Sequence, residues 1–93
     1  MITCIVSIVT KPSEHERFVT ATRALREATI EEDGNLEYSI WVPLDGSSEV
    51  LVFERWADQA AIDVHGKSRH LADFRAAVKG AVAAAPITTR SDT

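Results

Sequence analysis

The sequence predicts an α+β fold in which helices pack on one face of an antiparallel sheet. Three observations predict it. Segments rich in β-branched residues alternate with segments of helical periodicity, turn-forming residues separate them, and the order is strand, helix, strand, strand, broken helix, strand. This order is the split βαβ plan of ferredoxin-like domains. We therefore expect residues 1–93 to form a single domain with this architecture.

Composition narrows the classes of function. The 93 residues are 45% hydrophobic and 26% charged, with a formal net charge of −4, which is typical of a soluble globular protein. No apolar run approaches the roughly 20 residues that span a bilayer, and no cluster of Lys and Arg predicts binding to nucleic acid or to a membrane. In the absence of a signal-peptide pattern, the lone Cys4 favours a reducing cytoplasm. Small molecules and proteins remain as the classes of binding partner that the composition allows.

The first strand and the first helix are predicted from the signals at their ends. Residues 2–10 are rich in β-branched side chains, and Pro12 would interrupt a strand ladder directly afterwards. Ser13 and Glu16 have the spacing of a capping box, in which two side chains satisfy free amides at a helix start. This pattern predicts a helix from Ser13 to about Glu32.

A β-hairpin is predicted after this helix, which Gly34 is expected to end in the left-handed conformation. Residues 36–42 and 49–56 both read as strands. The turn-forming sequence Asp45-Gly46-Ser47-Ser48 lies between them, so the two strands should pair antiparallel.

The predicted strands carry apolar side chains on both faces. Leu51 and Phe53 point away from Val50 and Val52, and Trp41 also lies on a face opposite its strand's other apolar residues. Helices can cover only one face of such a sheet, and a large uncovered apolar face promotes association. We therefore expect a symmetric homodimer that packs sheet against sheet.

The last third of the chain predicts two short helices and a final strand. Asp58 and Ser68 each suit the N-cap of a helix, and the first of these helices should reach about His65. The second helix has an apolar stripe that continues into the Ala-rich segment before Pro86. Its members are Leu71, Phe74, Val78 and Val82. Residues 87–90 are expected to form the last strand.

Potentially reactive side chains concentrate between Glu54 and Phe74. His65 falls on the inward side of its helix, where an imidazole can act as a general base near neutral pH. Alternatively, His65 is a structural residue bonded to Glu54 or to the backbone. Glu54 shares a strand face with Trp56, and a carboxylate on that face must be paired or line a wet cavity.

The other candidates are aromatic or lie at the edge of this region. Tyr38 and Trp56 can stack on an aromatic ligand or simply fill the core. His70 shares a helical side with Phe74 but lies in the first turn, so a neutral residue that is rim-exposed or structural is expected rather than a catalyst. His15 should be solvated.

Several common chemistries are missing from the sequence. It has no Cys-His spacing for zinc, no Gly-rich phosphate loop and no flavin or nicotinamide fingerprint. Glu54, His65 and His70 can be drawn as metal ligands, but mixed carboxylate and histidine sets arise easily by chance. We therefore predict no metal site.

An ordered set of residues resembles a known family. Its members are Glu32, Gly34, Leu36 and Tyr38, then Phe53, Glu54 and Trp56, and finally Ala60, Ala61, His65, Ser68, His70 and Phe74. In this order and at this spacing they resemble the antibiotic biosynthesis monooxygenase domain of the dimeric α+β barrel superfamily. The resemblance implies a homodimer whose sheets face each other, with a pocket in each protomer between the sheet and the helices.

The resemblance also implies an activity, which is oxidation of a phenol or quinol with O₂ and without a cofactor. A deprotonated phenol can itself give an electron to oxygen, so the protein supplies a dry pocket and proton transfer. On this hypothesis His65 is the base and Glu54 positions it or the substrate. Trp56 and Tyr38 would shape an aromatic wall.

The substrate-binding set implied by the resemblance further includes His70 and Phe74. We therefore expect a small cofactor-free monooxygenase that acts on a hydroxylated aromatic compound.

Three alternatives remain open. A non-catalytic dimeric module that binds a small ligand is compatible with the same fold, because a fold does not determine function. Haem-degrading relatives resemble the fold but place a Trp near His65 and a haem-ligating His at Arg75, so haem is not expected. Isomerases of phosphorylated sugars also resemble it, but the sequence offers no phosphate clamp beyond Lys67 and Arg69.

Overall fold

The computed structural model describes all 93 residues and has the predicted order of elements. Its strands are β1 (Ile2–Val9), β2 (Asn35–Trp41), β3 (Glu49–Trp56) and β4 (Ile87–Asp92). Its α-helices are α1 (His15–Thr29), α2 (Gln59–Gly66) and α3 (Arg69–Ala77). The broken helix of the prediction therefore consists of α2 and α3.

The four strands form one antiparallel sheet in the order β2-β3-β1-β4. In the central pair, Cys4 of β1 lies opposite Glu54 of β3. The predicted hairpin of β2 and β3 forms, and it places Tyr38 opposite Glu54 on the other side. This strand order and the interleaved halves are the ferredoxin-like arrangement, so the predicted fold class is confirmed.

The core lies between the sheet and the helices. It consists of Ile8, Phe18, Leu25, Tyr38, Val50, Val52 and Ala81. Phe18 of α1 meets Phe74 of α3 edge to face, with ring centroids 5.6 Å apart, and this contact joins the two helices. On the other face of the sheet, Val9 and Trp41 are 46% and 60% exposed. The helices thus cover one face and leave apolar groups on the other, as predicted.

The N-caps predicted for the later helices form, but the capping box predicted for α1 does not. Asp58 accepts a hydrogen bond from the amide of Ala61, and Ser68 accepts one from the amide of Leu71. Before α1, Pro12–Glu14 forms a 3₁₀ turn that includes Ser13, and α1 begins only at His15. Because proline favours the first position of a helical turn, the turn starts at Pro12 and the serine hydroxyl makes no cap.

The other helix ends also differ from the predicted positions. Helix α1 ends at Thr29, and Glu32 lies in the turn that follows, where its amide donates to the carbonyl of Thr29. Helix α3 ends at Ala77 and does not extend to Val82, because Gly80 turns the chain with a φ of 79°. The last strand extends to Asp92, two residues beyond the predicted end.

Gly34 has a different role from the one predicted. Its φ is not positive, so it does not end α1 in the left-handed conformation. A Cβ added at Gly34 would instead overlap the Cβ of Ala61 in α2. The glycine is needed because the loop after α1 approaches α2 so closely. This approach brings Glu32 next to α2.

Replacing Gly34 with Ala should lower the free energy of unfolding by about 1–3 kcal/mol, the usual cost of forcing an extra carbon into a packed contact. Gly66→Ala is the matched control, because a Cβ there meets nothing within 4 Å. The control should change stability by less than about 1 kcal/mol. Urea unfolding followed by circular dichroism measures both variants. Equal effects would contradict the packing role of Gly34.

Candidate functional site

A cavity of about 550 Å³ lies between the sheet and the helices. Twelve of its 19 lining residues are hydrophobic, so it suits a mostly apolar molecule. Tyr38 and Glu54 contribute polar groups from the sheet, and His65 contributes an imidazole from α2. The expected pocket between sheet and helices is therefore present.

His65 is held between Glu32 and this cavity. The residue is 9% exposed, and its Nδ1 lies 2.6 Å from Oε2 of Glu32. An ionised carboxylate can only accept a hydrogen bond, so Nδ1 carries the proton that is donated to Glu32. The ring Nε2 makes no hydrogen bond within the chain and still contacts accessible space. In the neutral ring this nitrogen is an acceptor for a proton.

His70 approaches the same carboxylate from α3. Its Nε2 lies 2.9 Å from Oε2 of Glu32, and its side chain is 26% exposed. His70 is thus partly at the rim, as expected, but it also belongs to a buried hydrogen-bonded cluster with Glu32 and His65. The second oxygen of Glu32, Oε1, is buried and has no hydrogen-bond partner. The ligating atoms of the three residues all lie within 4.8 Å of one another.

The expected hydrogen bond between Glu54 and His65 does not form. Oε1 of Glu54 instead accepts from Nε1 of Trp56, at 3.0 Å. The indole is two residues away on the same strand face, so it lies within hydrogen-bonding distance of the carboxylate. Glu54 still lines the cavity with its carboxyl group, whereas Glu32 orients His65.

Trp56 lies behind the cavity wall. It is only 1% exposed, and its ring centroid lies 4.8 Å from that of His65. It is not one of the residues that line the cavity. Trp56 therefore supports the imidazole from behind, while Phe18, Tyr38 and Phe74 provide the aromatic surface of the cavity.

Burial controls the protonation of the cavity groups on the sheet. It raises the pKa of Glu54, although the hydrogen bond from Trp56 acts in the opposite direction. Burial, reinforced by the negative charge of Glu54, holds the pKa of Tyr38 well above its usual range. The same two causes raise the pKa of the Cys4 thiol. Tyr38 and Cys4 therefore remain protonated at neutral pH.

Sequence reasoning gave no role to two residues of this region. Glu32 stood in the family-like segment, but no pattern within the segment indicated that it would meet a histidine 33 positions later. Arg75 lines the cavity from α3 and is otherwise exposed. From the sequence, Arg75 was noted only as the position at which haem-degrading relatives place a haem-ligating His. His15, which was expected to be solvated, is partly buried, with Nδ1 2.8 Å from the hydroxyl of Thr10.

The fold and the site together define a class of protein, a ferredoxin-like domain with an apolar cavity beside a buried histidine–carboxylate pair. The family model for antibiotic biosynthesis monooxygenases matches residues 1–77. The chain therefore belongs to the antibiotic biosynthesis monooxygenase family. No helix has both the length and the apolar composition needed to cross a bilayer.

The individual relatives share only about a quarter of their residues with this chain. The chain is 27% identical to the Bacillus subtilis protein YcnE over 67 residues, which cover 72% of this chain and 70% of YcnE. The name of YcnE carries a provisional monooxygenase assignment. A solved structure from Nitrosomonas europaea, with a provisional assignment to the same family, superposes with a TM-score of 0.94 at 24% identity. That match covers 100% of this chain and 98% of the other.

A second solved structure shares the fold. Rv0793 from Mycobacterium tuberculosis superposes with a TM-score of 0.90 at 25% identity, over 99% of this chain and 93% of that protein. These likenesses agree with the strand order and the helical layer described above.

Glu54→Gln should raise the melting temperature at neutral pH. Because burial raises the pKa of Glu54 in the folded state, the folded protein binds this proton more tightly than the unfolded chain. The stability that depends on the proton is complete below the ordinary value of 4.5 and is lost as the pH rises through the folded-state pKa. Gln removes the buried charge and retains an oxygen that accepts from Trp56.

The gain from Glu54→Gln should therefore shrink as the pH falls below 4.5. Thermal melts across a pH series measure it. Glu27→Gln, at an exposed position on α1, is the control and should have little effect at any pH. A lower melting temperature for Glu54→Gln at neutral pH would contradict the claim that the buried charge of Glu54 destabilises the fold.

Proposed function

We propose that the protein is a cofactor-free monooxygenase that oxidises a hydroxylated aromatic compound with O₂. The observation that carries the proposal is the geometry of His65. Glu32 holds one ring nitrogen at 2.6 Å, and His65 lines an apolar cavity of about 550 Å³. Small-molecule sites have volumes of about 300–1,000 Å³, so the cavity suits a substrate with fused rings.

The first step of the reaction is removal of a proton from the substrate. Nε2 of His65 accepts the proton of a bound phenol or quinol, and the resulting imidazolium is stabilised by Glu32, 2.6 Å from Nδ1. The phenolate is electron-rich and is held in an apolar cavity, where it gives one electron to O₂. Recombination of the two radicals forms a carbon–oxygen bond and a peroxide.

The peroxide then breaks its oxygen–oxygen bond. One oxygen atom stays on the substrate carbon as a quinone-type carbonyl, and the other leaves as water with the two hydrogens that the substrate has lost. The substrate provides all the electrons, so no external reductant is required. His65 can return its proton to the leaving oxygen.

The remaining site residues have separate roles in this proposal. The Tyr38 phenol and the protonated form of Glu54 donate hydrogen bonds to substrate oxygens from the sheet. Phe74 packs against the substrate rings. Trp56 supports His65 from behind, and His70 supports Glu32 from the rim. Arg75, on the helical side, offers a positive charge that favours a phenolate.

Two other functions have less support. A binding module without catalysis needs neither a free imidazole nitrogen nor a carboxylate that orients the ring, and both are present beside the cavity. An isomerase of phosphorylated sugars needs a cationic clamp. Lys67 and Arg69 are exposed, and Arg69 instead faces Asp73 at 3.4 Å.

His65→Ala should reduce kcat/KM for oxygen uptake by about 100- to 10,000-fold, which is the usual contribution of a general base. The assay is oxygen consumption with a panel of quinols and anthrone-like phenols. Glu32→Gln should reduce kcat with a smaller effect on KM, because it disturbs the orientation of the base and leaves the cavity walls unchanged.

His15→Ala is the matched control, because His15 bonds Thr10 and takes no part in the site. Absence of turnover on every substrate in the panel, or equal turnover by wild type and His65→Ala, would remove the proposed mechanism.

We also infer a homodimer that packs through the uncovered face of the sheet. Val9, Trp41 and Ile87 are 46%, 60% and 68% exposed there, beside partly buried Phe53. An apolar face of this kind on a 93-residue chain is stabilised when a second copy covers it. A cytoplasmic location stays a prediction from the single cysteine.

Trp41→Glu should convert the dimer to a monomer, because it places a charge within an apolar interface. Light scattering at micromolar concentration should give twice the mass of one chain for the wild type and a single-chain mass for the variant. Val64→Glu is the control, since Val64 is 64% exposed on α2 in the helical layer, and it should remain dimeric. A monomeric wild type would overturn the inference.

A further inference from the structure

The cluster of Glu32, His65 and His70 has the chemistry of a metal site. Glu32 comes from the turn after α1, His65 from α2 and His70 from α3. One carboxylate and two imidazoles therefore converge from three separate segments, with their ligating atoms within 4.8 Å of one another. The set of two histidines and one glutamate binds Zn²⁺ and similar transition-metal ions, whereas Mg²⁺ and Ca²⁺ prefer oxygen ligands.

The carboxylate of Glu32 is incompletely satisfied by the two histidines. Its side chain is 12% exposed, and both imidazoles reach the same oxygen, Oε2. The other oxygen, Oε1, is buried and has no partner. A buried carboxylate oxygen without a partner is costly. A divalent cation bound beside the carboxylate would neutralise the charge that the two hydrogen bonds leave.

The distances allow an ion to enter after a small rearrangement. Bonds of about 2.0–2.1 Å to Zn²⁺ in a tetrahedral site place ligand atoms about 3.3 Å apart. The two nitrogens now lie 2.6 and 2.9 Å from Oε2, so these separations must widen by about 0.7 and 0.4 Å. The ligand atoms, which lie within 4.8 Å of one another, must at the same time close around the ion. His70 is 26% exposed and gives the ion access from the surface.

We propose that Glu32, His65 and His70 form a binding site for one divalent transition-metal ion, with Zn²⁺ as the expected ligand. The ion takes the place of the two protons that now join the imidazoles to Glu32. Nδ1 of His65, Nε2 of His70 and a carboxylate oxygen are the protein ligands, and water completes the tetrahedron.

Metal binding would also change what His65 presents to the cavity. A neutral imidazole has one proton, and a metal on Nδ1 moves that proton to Nε2. Nε2, the nitrogen that Glu32 leaves free, then donates a hydrogen bond and no longer accepts a proton. Zn²⁺ should therefore inhibit the oxygenase, and this consequence, unlike the metal site itself, rests on the proposed function.

The test is calorimetric titration of Zn²⁺ into untagged, metal-free protein. We expect one ion per chain. The dissociation constant should be at least about tenfold higher in Glu32→Gln and His70→Ala, since tenfold is the smallest loss of affinity usual for residues that support a metal site. The controls are Glu31→Gln, at an exposed neighbouring position, and His15→Ala, which removes the histidine outside the cluster. Both should bind Zn²⁺ like the wild type.

A second measurement uses the contact between Trp56 and His65. In a Trp41→Phe background Trp56 is the single tryptophan, and its ring centroid lies 4.8 Å from that of His65. Ni²⁺ should quench its emission in a saturable manner, and Glu32→Gln should shift the midpoint by at least about tenfold. Circular dichroism before titration verifies that each variant is folded.

Absence of saturable one-to-one binding, or equal binding by wild type, Glu32→Gln and His70→Ala, would overturn the metal site. The outcome is independent of the oxygenase assay. Zn²⁺ binding without oxygen uptake would leave the metal site standing and remove the proposed function, whereas oxygen uptake without Zn²⁺ binding would do the reverse. If both hold, Zn²⁺ should inhibit wild type at concentrations at least about tenfold lower than those needed for His70→Ala.

Discussion

The contact between Glu32 and His65 is the interaction on which the site depends. It joins the turn after α1 to the end of α2, across 33 positions of the chain. A carboxylate and an imidazole are each costly to bury alone, and the hydrogen bond between them forms only when the two halves of the chain are packed together. Gly34 makes this packing possible, because its missing Cβ lets the loop approach Ala61. The orientation of the ring toward the cavity follows from this contact.

Most of the fold could be predicted from the sequence because its signals are local. The N-caps at Asp58 and Ser68 bond amides three residues later, and the turn at Gly46 involves about four consecutive residues. Local prediction was wrong where two local signals competed. Pro12 started a 3₁₀ turn before the Ser13 capping box could act, and the change at Gly34 came from a distant contact that no local pattern contains.

The site was only partly predictable. Helical phase correctly placed His65 inward, and strand alternation placed Tyr38 and Glu54 on the cavity side. The partner of His65 was not predictable, because hydrogen bonds between distant segments depend on how the layers pack. Glu54 is closer to His65 in sequence, but its carboxylate accepts a hydrogen bond from the indole of Trp56. The more distant Glu32 bonds the imidazole of His65 instead.

The last strand has a consequence for how molecules reach the cavity. All six residues of β4 are exposed, and the strand pairs only with β1, yet Thr88 of this strand and Pro86 just before it line the cavity. Elements with little buried apolar surface open at the lowest free energy. Detachment of β4 would leave the hydrophobic core intact. The cavity is therefore bounded on this side by the strand that detaches most readily, so local opening of β4 would expose the cavity without global unfolding.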